Sequence, residues 1–104
     1  MKTVKEFLES TFDKNNPYLV RNRIGCKDGY SVSVQGGDEF HYCDPRIHEN
    51  SYFEVELGYP SCADEEILQY AENTDDPTAT VYSYVPIEVV EKLIEKHGGI
   101  IEGR

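Results

Sequence analysis

Thr80-Val81-Tyr82-Ser83-Tyr84-Val85-Pro86-Ile87-Glu88-Val89-Val90-Glu91-Lys92-Leu93-Ile94-Glu95-Lys96-His97-Gly98-Gly99 changes its hydrophobic period halfway along. Thr80 to Val85 is β-branched and aromatic and alternates, which predicts a strand with Val81, Ser83 and Val85 on one face and Tyr82 and Tyr84 on the other. Pro86 suits the first position of a helix, where its missing N–H costs nothing. Ile87, Val90, Leu93, Ile94 and His97 then recur with a 3.6-residue period until Gly98-Gly99 stops the helix. A strand feeding directly into an amphipathic helix implies one core shared by sheet and helix.

Working toward the N-terminus, Tyr52 to Leu57 alternates again, with Phe53, Val55 and Leu57 opposing Glu54 and Glu56. Gly58-Tyr59-Pro60 breaks that strand. Ser61-Cys62-Ala63-Asp64 reads as a capping box for a short helix reaching about Ala71, striped by Ile67, Leu68 and Ala71. Glu72 to Thr78 is acidic and rich in breakers, a surface loop. Earlier still, Tyr18 to Cys26 and Tyr30 to Gln35 are two strands joined at Lys27-Asp28-Gly29, where Asp-Gly signals a hairpin. After a turn at Gly36-Gly37-Asp38, Glu39 to Cys43 is expected to return as a third strand, and Asp44 to Ser51 to form a loop. Val4, Phe7, Leu8 and Phe12 predict a helix over residues 3–13, with Thr3 as N-cap and Glu6 as its capping-box partner, ended by Asn15-Asn16-Pro17.

The expected order is α-β-β-β-β-α-β-α. This is an α+β fold in which helices pack on one face of an antiparallel sheet of four to five strands. One domain covers residues 1–100, since a chain of 104 residues is too short for two cores. Ile101-Glu102-Gly103-Arg104 spells the tetrapeptide recognised by factor Xa and reads as a cloning remnant.

Twenty acidic side chains against ten basic ones give a net charge of −10, which repels phosphate backbones and argues against direct nucleic-acid binding. The 38% hydrophobic and 12% aromatic content, with eight Tyr, separates the chain from disordered acidic tails. No apolar run is long enough to cross a bilayer and no secretion signal opens the sequence, so a cytoplasmic protein without a membrane partner is expected. Cys26, Cys43 and Cys62 form an odd set without CxxC spacing, which fits neither a disulfide framework nor a zinc ribbon.

Several residue groups carry possible chemistry. His41, Cys43, His48 and Cys62 are of metal-ligating type, with His41 and Cys43 on one strand face, yet their spacing matches no structural zinc motif. Cys43 with a histidine and Asp44 supplies the residue types of a nucleophilic site, but neighbouring strand residues point to opposite faces. Glu54 and Glu56 read as solvated carboxylates, and neither Gly36-Gly37 nor Gly98-Gly99 has the sequence of a phosphate cradle. Arg46, in Asp44-Pro45-Arg46, could pair with an acidic group. Tyr42, Tyr52, Tyr59, Tyr82 and Tyr84 are candidate contacts because tyrosine is enriched at interfaces.

Phe40-His41-Tyr42-Cys43-Asp44-Pro45-Arg46, Tyr52 to Ser61 and Val81 to Ile100 together resemble small uncharacterised proteins of phages and prophages of low-GC Gram-positive bacteria. The resemblance implies a setting and transfers no functional residues. The expectation is therefore a non-enzymatic phage or mobile-element protein without a cofactor or metal, binding a protein partner through Tyr42, Arg46, Tyr52, Tyr59, Tyr82 and Tyr84. Its alternatives are a DNA mimic that inhibits a host nucleic-acid-binding or defence protein, and a small metal-binding or enzymatic domain centred on His41, Cys43 and His48. The residues specify no oligomeric state.

Overall fold

In the computed structural model the described residues are 2–13, 15–16, 20–45 and 53–103. Their elements run α1 (Val4–Thr11), β1 (Ile24–Cys26), β2 (Ser31–Gln35), β3 (Glu54–Gly58), α2 (Glu65–Leu68), β4 (Val81–Pro86), α3 (Ile87–Lys96) and β5 (Ile100–Gly103). The strands form one antiparallel five-stranded sheet ordered β4-β3-β2-β1-β5, and the chain has the α+β architecture expected of it.

One face of the sheet is the core. Ile24, Cys26, Val32, Val34, Val55, Leu57, Tyr82 and Val85 project from it against Val4, Phe7 and Leu8 of α1, Ile67 of α2, and Ile87, Val90, Leu93 and Ile94 of α3. Each such side chain removed from water contributes about 1.5–3 kcal/mol before entropy is counted. The other face carries Ser31, Ser33, Glu54 and Glu56, which are partly or fully exposed. The alternation read from the sequence thus sorts the two faces in β2 and β3.

Helix α1 is capped from both sides. Thr3 and Glu6 form the expected reciprocal capping box. Glu91 of α3 adds a long-range cap, its carboxylate accepting from the Val4 and Lys5 amides at 2.9 and 3.2 Å. Two orphan N–H groups of α1 are thereby satisfied by an anion at the positive end of the helix. At the other end Arg21, itself buried, donates to the Leu8 carbonyl, the Gly36 carbonyl and the Thr11 hydroxyl.

Helix α3 crosses the core face from β4 at one sheet edge to β5 at the other. It ends in a Schellman arrangement: Gly98 N–H donates to Glu95 O, Gly99 N–H to Ile94 O, and Gly98 has φ +95°. The hairpin at Lys27-Asp28-Gly29 closes by Gly29 N–H donating to Cys26 O, with Gly29 at φ +96°. These two turns lie together, since Lys27 N–H donates to Gly99 O and Asp28 N–H to His97 O.

Several local expectations change, the first β1 itself, which spans only Ile24–Cys26. Residues 39–43 do not pair as a strand, because the Asp38 carboxylate accepts from the Phe40 and His41 amides and bends the chain on itself. Ile100–Gly103 pair with β1 as the edge strand β5, so the sheet continues past Ile100. The β4 alternation breaks at a bulge: Val55 opposes Val85 and Leu57 opposes Tyr82, leaving Glu56 facing both Ser83 and Tyr84. Tyr84 takes up the extra residue with φ +51° and faces solvent, so Val85 returns to the core.

The paired turns generate a contrast. A Cβ built on Gly98 would sit 2.8 Å from the Lys27 Cβ, whereas one on Gly29 meets open space. Both positions require positive φ, which costs a non-glycine residue about 1–3 kcal/mol. Gly98→Ala is expected to lower the free energy of unfolding in urea by clearly more than Gly29→Ala. Equal losses would show that the close approach of α3 to the hairpin is not constraining.

Candidate functional site

Two regions gather chemically capable side chains, one on each side of the sheet. On the open face, the loop after β2 folds back over β3. Asp44 N–H donates to Glu54 O, Tyr42 N–H donates to the Glu56 carboxylate at 3.1 Å, and the Tyr84 N–H freed by the bulge donates to Tyr42 O at 2.9 Å. The Tyr42 and Tyr84 rings meet with centroids 6.5 Å apart and planes tilted by 43°. Both are half exposed, as are Phe40, Phe53 and Tyr59. Tyr59, beyond the end of β3, is a second tyrosine at positive φ, +49°. Its backbone is tied down, the N–H donating to Thr80 O and the carbonyl accepting from Arg23.

Of the sequence-derived contact residues, Tyr42, Tyr59 and Tyr84 are thus exposed. Tyr82 is a correction: it is wholly buried, its hydroxyl donating to Pro77 O at 2.6 Å. It lies on the same face as Val55 and Leu57, which the bulge beyond it separates from exposed Tyr84. Arg46 and Tyr52 lie outside the described residues.

The metal or nucleophile group is only partly described, because His48 also lies outside those residues. The His41 Nδ1 is 3.0 Å from the Asp38 carboxylate. Cys43 is buried with its thiol against Asp38 O, and burial pushes that thiol up to about 11. Cys26 is likewise pushed up to about 11 by burial. Burial thus disfavours the thiolate, the nucleophilic form, at both positions.

The second region lies on the helical side, where α3 ends against the hairpin. The His97 ring stacks on Tyr30, with centroids 3.8 Å apart and planes within 5°. Its Nδ1 is 2.6 Å from Asp28 Oδ2 and its Nε2 is 3.0 Å from Asp64 Oδ2. Asp64 Oδ1 accepts from Lys96 at 2.6 Å, and Lys96 also reaches Glu66 at 2.8 Å. Cys62 stands beside this group: donor atoms of Cys62, Asp64 and His97 all lie within 4.8 Å of one another.

Asp64 corrects the capping-box reading. It occupies the N-cap position of α2 but makes no side-chain cap, because Lys96 and His97 take its carboxylate. Ser61, the other expected member of the box, accepts from the Ser31 amide instead.

Burial alone would lower the His97 pKa, but hydrogen bonds and charge from Asp28 and Asp64 outweigh it and raise the value above the ordinary 6.5. The Asp28 carboxyl is held below its ordinary 3.8 by the Tyr30 amide and His97. Burial, Asp64 and Asp28 raise the Cys62 thiol. With both ring nitrogens facing carboxylates, the protonated form of His97 is favoured. The arrangement is a charge clasp of one imidazole between two carboxylates, with Lys96 on the second oxygen of Asp64.

Comparisons with protein-family models, with curated proteins and with solved structures found no match to this chain. No described helix is long and apolar enough to cross a membrane.

The clasp has a pH signature in metal-free protein. A raised histidine pKa means that the folded state holds the proton more tightly, so this stabilisation is complete below the ordinary 6.5 and is lost as pH rises through the raised value. The depressed Asp28 carboxyl contributes above its ordinary 3.8 and is lost as pH falls through the lowered value. Unfolding free energy in chelator-containing buffer is expected to decline as pH rises past 6.5, and His97→Gln to flatten that decline. An unchanged slope in the variant would remove the clasp as its cause.

Proposed function

We propose that this is a small non-enzymatic protein, of the phage or mobile-element setting its sequence resembles, that works by binding a protein partner through the open face of its sheet. The observation that carries the reading is the β4 bulge, which turns Tyr84 to solvent beside Tyr42 at the cost of a strained backbone. Glycine tolerates that conformation better, so what the position gains in return for the strain is a half-exposed tyrosine ring set against Tyr42.

The chemistry of the face defines the partner. Tyr42 and Tyr84 offer aromatic rings next to the Glu54 and Glu56 strand, on a protein of net charge −10. Aromatic rings and carboxylates together suit a partner surface carrying arginine and lysine, through cation–π contact and ion pairing. Such recognition weakens as salt shortens the screening length from about 10 Å at 0.1 M to about 3 Å at 1 M.

Immobilised protein is expected to retain a host-lysate protein at low salt and release it at high salt. The pair Tyr42→Ser and Tyr84→Gly should lose at least tenfold in affinity for it while unfolding at the same or higher denaturant concentration, because Gly relieves the strain at position 84. Undiminished retention by the folded double variant, or no retained protein at all, would sink the reading.

A further inference from the structure

We propose that Cys62, Asp64 and His97 form a binding site for a divalent transition ion of the zinc class, with Asp28 backing the histidine and Tyr30 facing the ion's remaining ligand. This site is distinct from the open face and does not depend on the partner-binding reading.

The donor set is a thiol, a carboxylate and an imidazole, the mixture that borderline-soft ions take, and its donor atoms lie within 4.8 Å of one another. They come from two separate places in the chain, the segment before α2 and the end of α3, and the fold brings them together. The surroundings match what a metal-bound histidine needs. A ligating imidazole commonly donates its other ring N–H to a carboxylate, which fixes tautomer and orientation. Here Nδ1 lies 2.6 Å from Asp28, leaving Nε2 to face Asp64 and Cys62. Tyr30 stacked on the ring holds it from the side. Lys96 occupies Asp64 Oδ1, so the ion takes Oδ2, the oxygen that already faces Nε2.

A second observation points to a ligand. Among the described residues the Tyr30 hydroxyl is the buried side-chain polar atom without a hydrogen-bond partner. Tyr30 is almost fully buried, and Asp64 and Cys62 are the foremost charges holding its hydroxyl from ionising, after burial itself. Buried orphan hydroxyls are rare because each forfeits its bond to water. Three protein donors leave a fourth tetrahedral position for water, and that water gives the Tyr30 hydroxyl its partner. Exposed Cys62 leaves the position open to solvent.

Charge is conserved when the ion enters. The proton shared between His97 Nε2 and Asp64 leaves, and so does the Cys62 thiol proton. Two positive charges depart as a divalent ion arrives, so the buried cluster gains no net charge. Protons and metal are alternative occupants of one clasp.

Cobalt(II) chloride titrated into chelator-treated full-length protein, followed by its visible bands and by thiolate-to-cobalt charge transfer, tests the site. One equivalent is expected to bind with a charge-transfer band, and zinc chloride to displace it. Cys62→Ser should lose that band while Cys43→Ser keeps it, which also separates this site from one built on His41 and Cys43. Asp28→Asn, with its side chain half exposed, should fold and bind about 10–100-fold more weakly. Absence of the band in wild-type protein, its survival in Cys62→Ser, or unchanged affinity in Asp28→Asn would overturn the proposal.

Discussion

The placement of His97 between Asp28 and Asp64 is the constraint on which the arrangement of the helical side depends. It joins three segments that no strand ladder connects: the β1–β2 turn, the residues before α2, and the end of α3. The two carboxylates are not equivalent. The Asp64 side chain is 4% exposed and that of Asp28 49%. An unpaired charge at Asp64 would be left in a poorly solvated place, whereas Asp28 can recover water. Asp64 therefore needs its cations, and His97 and Lys96, adjacent at the end of α3, both supply it. Buried ion pairs seldom add much stability over apolar packing, so what this one contributes is position. It sets where α3 stops, which the Gly98 turn and the Lys27 amide then reinforce.

The opposite face works by a different device. Strict alternation along β4 would place Tyr84 on the same side as buried Tyr82, and one bulged residue at positive φ reverses that. The displaced Tyr84 N–H, no longer aimed at β3, holds the loop after β2 through Tyr42 O. Glu56 completes the attachment from below by accepting the Tyr42 amide. Strain at one residue thus fixes a loop, two rings and a carboxylate in one place. Rings already held in position forfeit less conformational entropy when they meet a partner.

Much of the fold was legible because local signals and tertiary packing agree. The Thr3 and Glu6 capping box, the Asp28-Gly29 hairpin, the stripe of α3 and its Gly98-Gly99 stop all act over a few residues, and each forms as its spacing implies. What escaped the sequence depends on distant partners or on one-residue choices. Residues 39–43 carry strand-like composition, but the Asp38 carboxylate captures their amides first. Glu91 caps α1 from 87 positions away, a partnership no local spacing announces. The four residues of β5 are too short to show a period. The clasp was invisible for the same reason: Asp28, Asp64 and His97 lie 36 and 33 positions apart, and only the crossing of α3 over the sheet unites them. Among its members Cys62 alone falls in the metal-ligating residue set of the sequence, and there its companions are His41, Cys43 and His48.

The sheet keeps these two regions mechanically apart. Tyr30 belongs to the core cluster with Val32 and Val34, while Ser31 and Ser33 face the other way, so a change at the clasp reaches the open face through the strands and through the short segment from Tyr59 to Cys62 that Ser61 ties to Ser31. Those strands are backed by wholly buried Val32, Val34, Val55 and Leu57, and packed interiors resist small displacements. On the proposed reading, occupancy of the clasp by proton or metal tunes how firmly the helices are held to the sheet and leaves the tyrosine surface in place. The charge clasp and the paired tyrosines fall on opposite sides of one layer, so the strain at Tyr84 sits on the face away from the packed core.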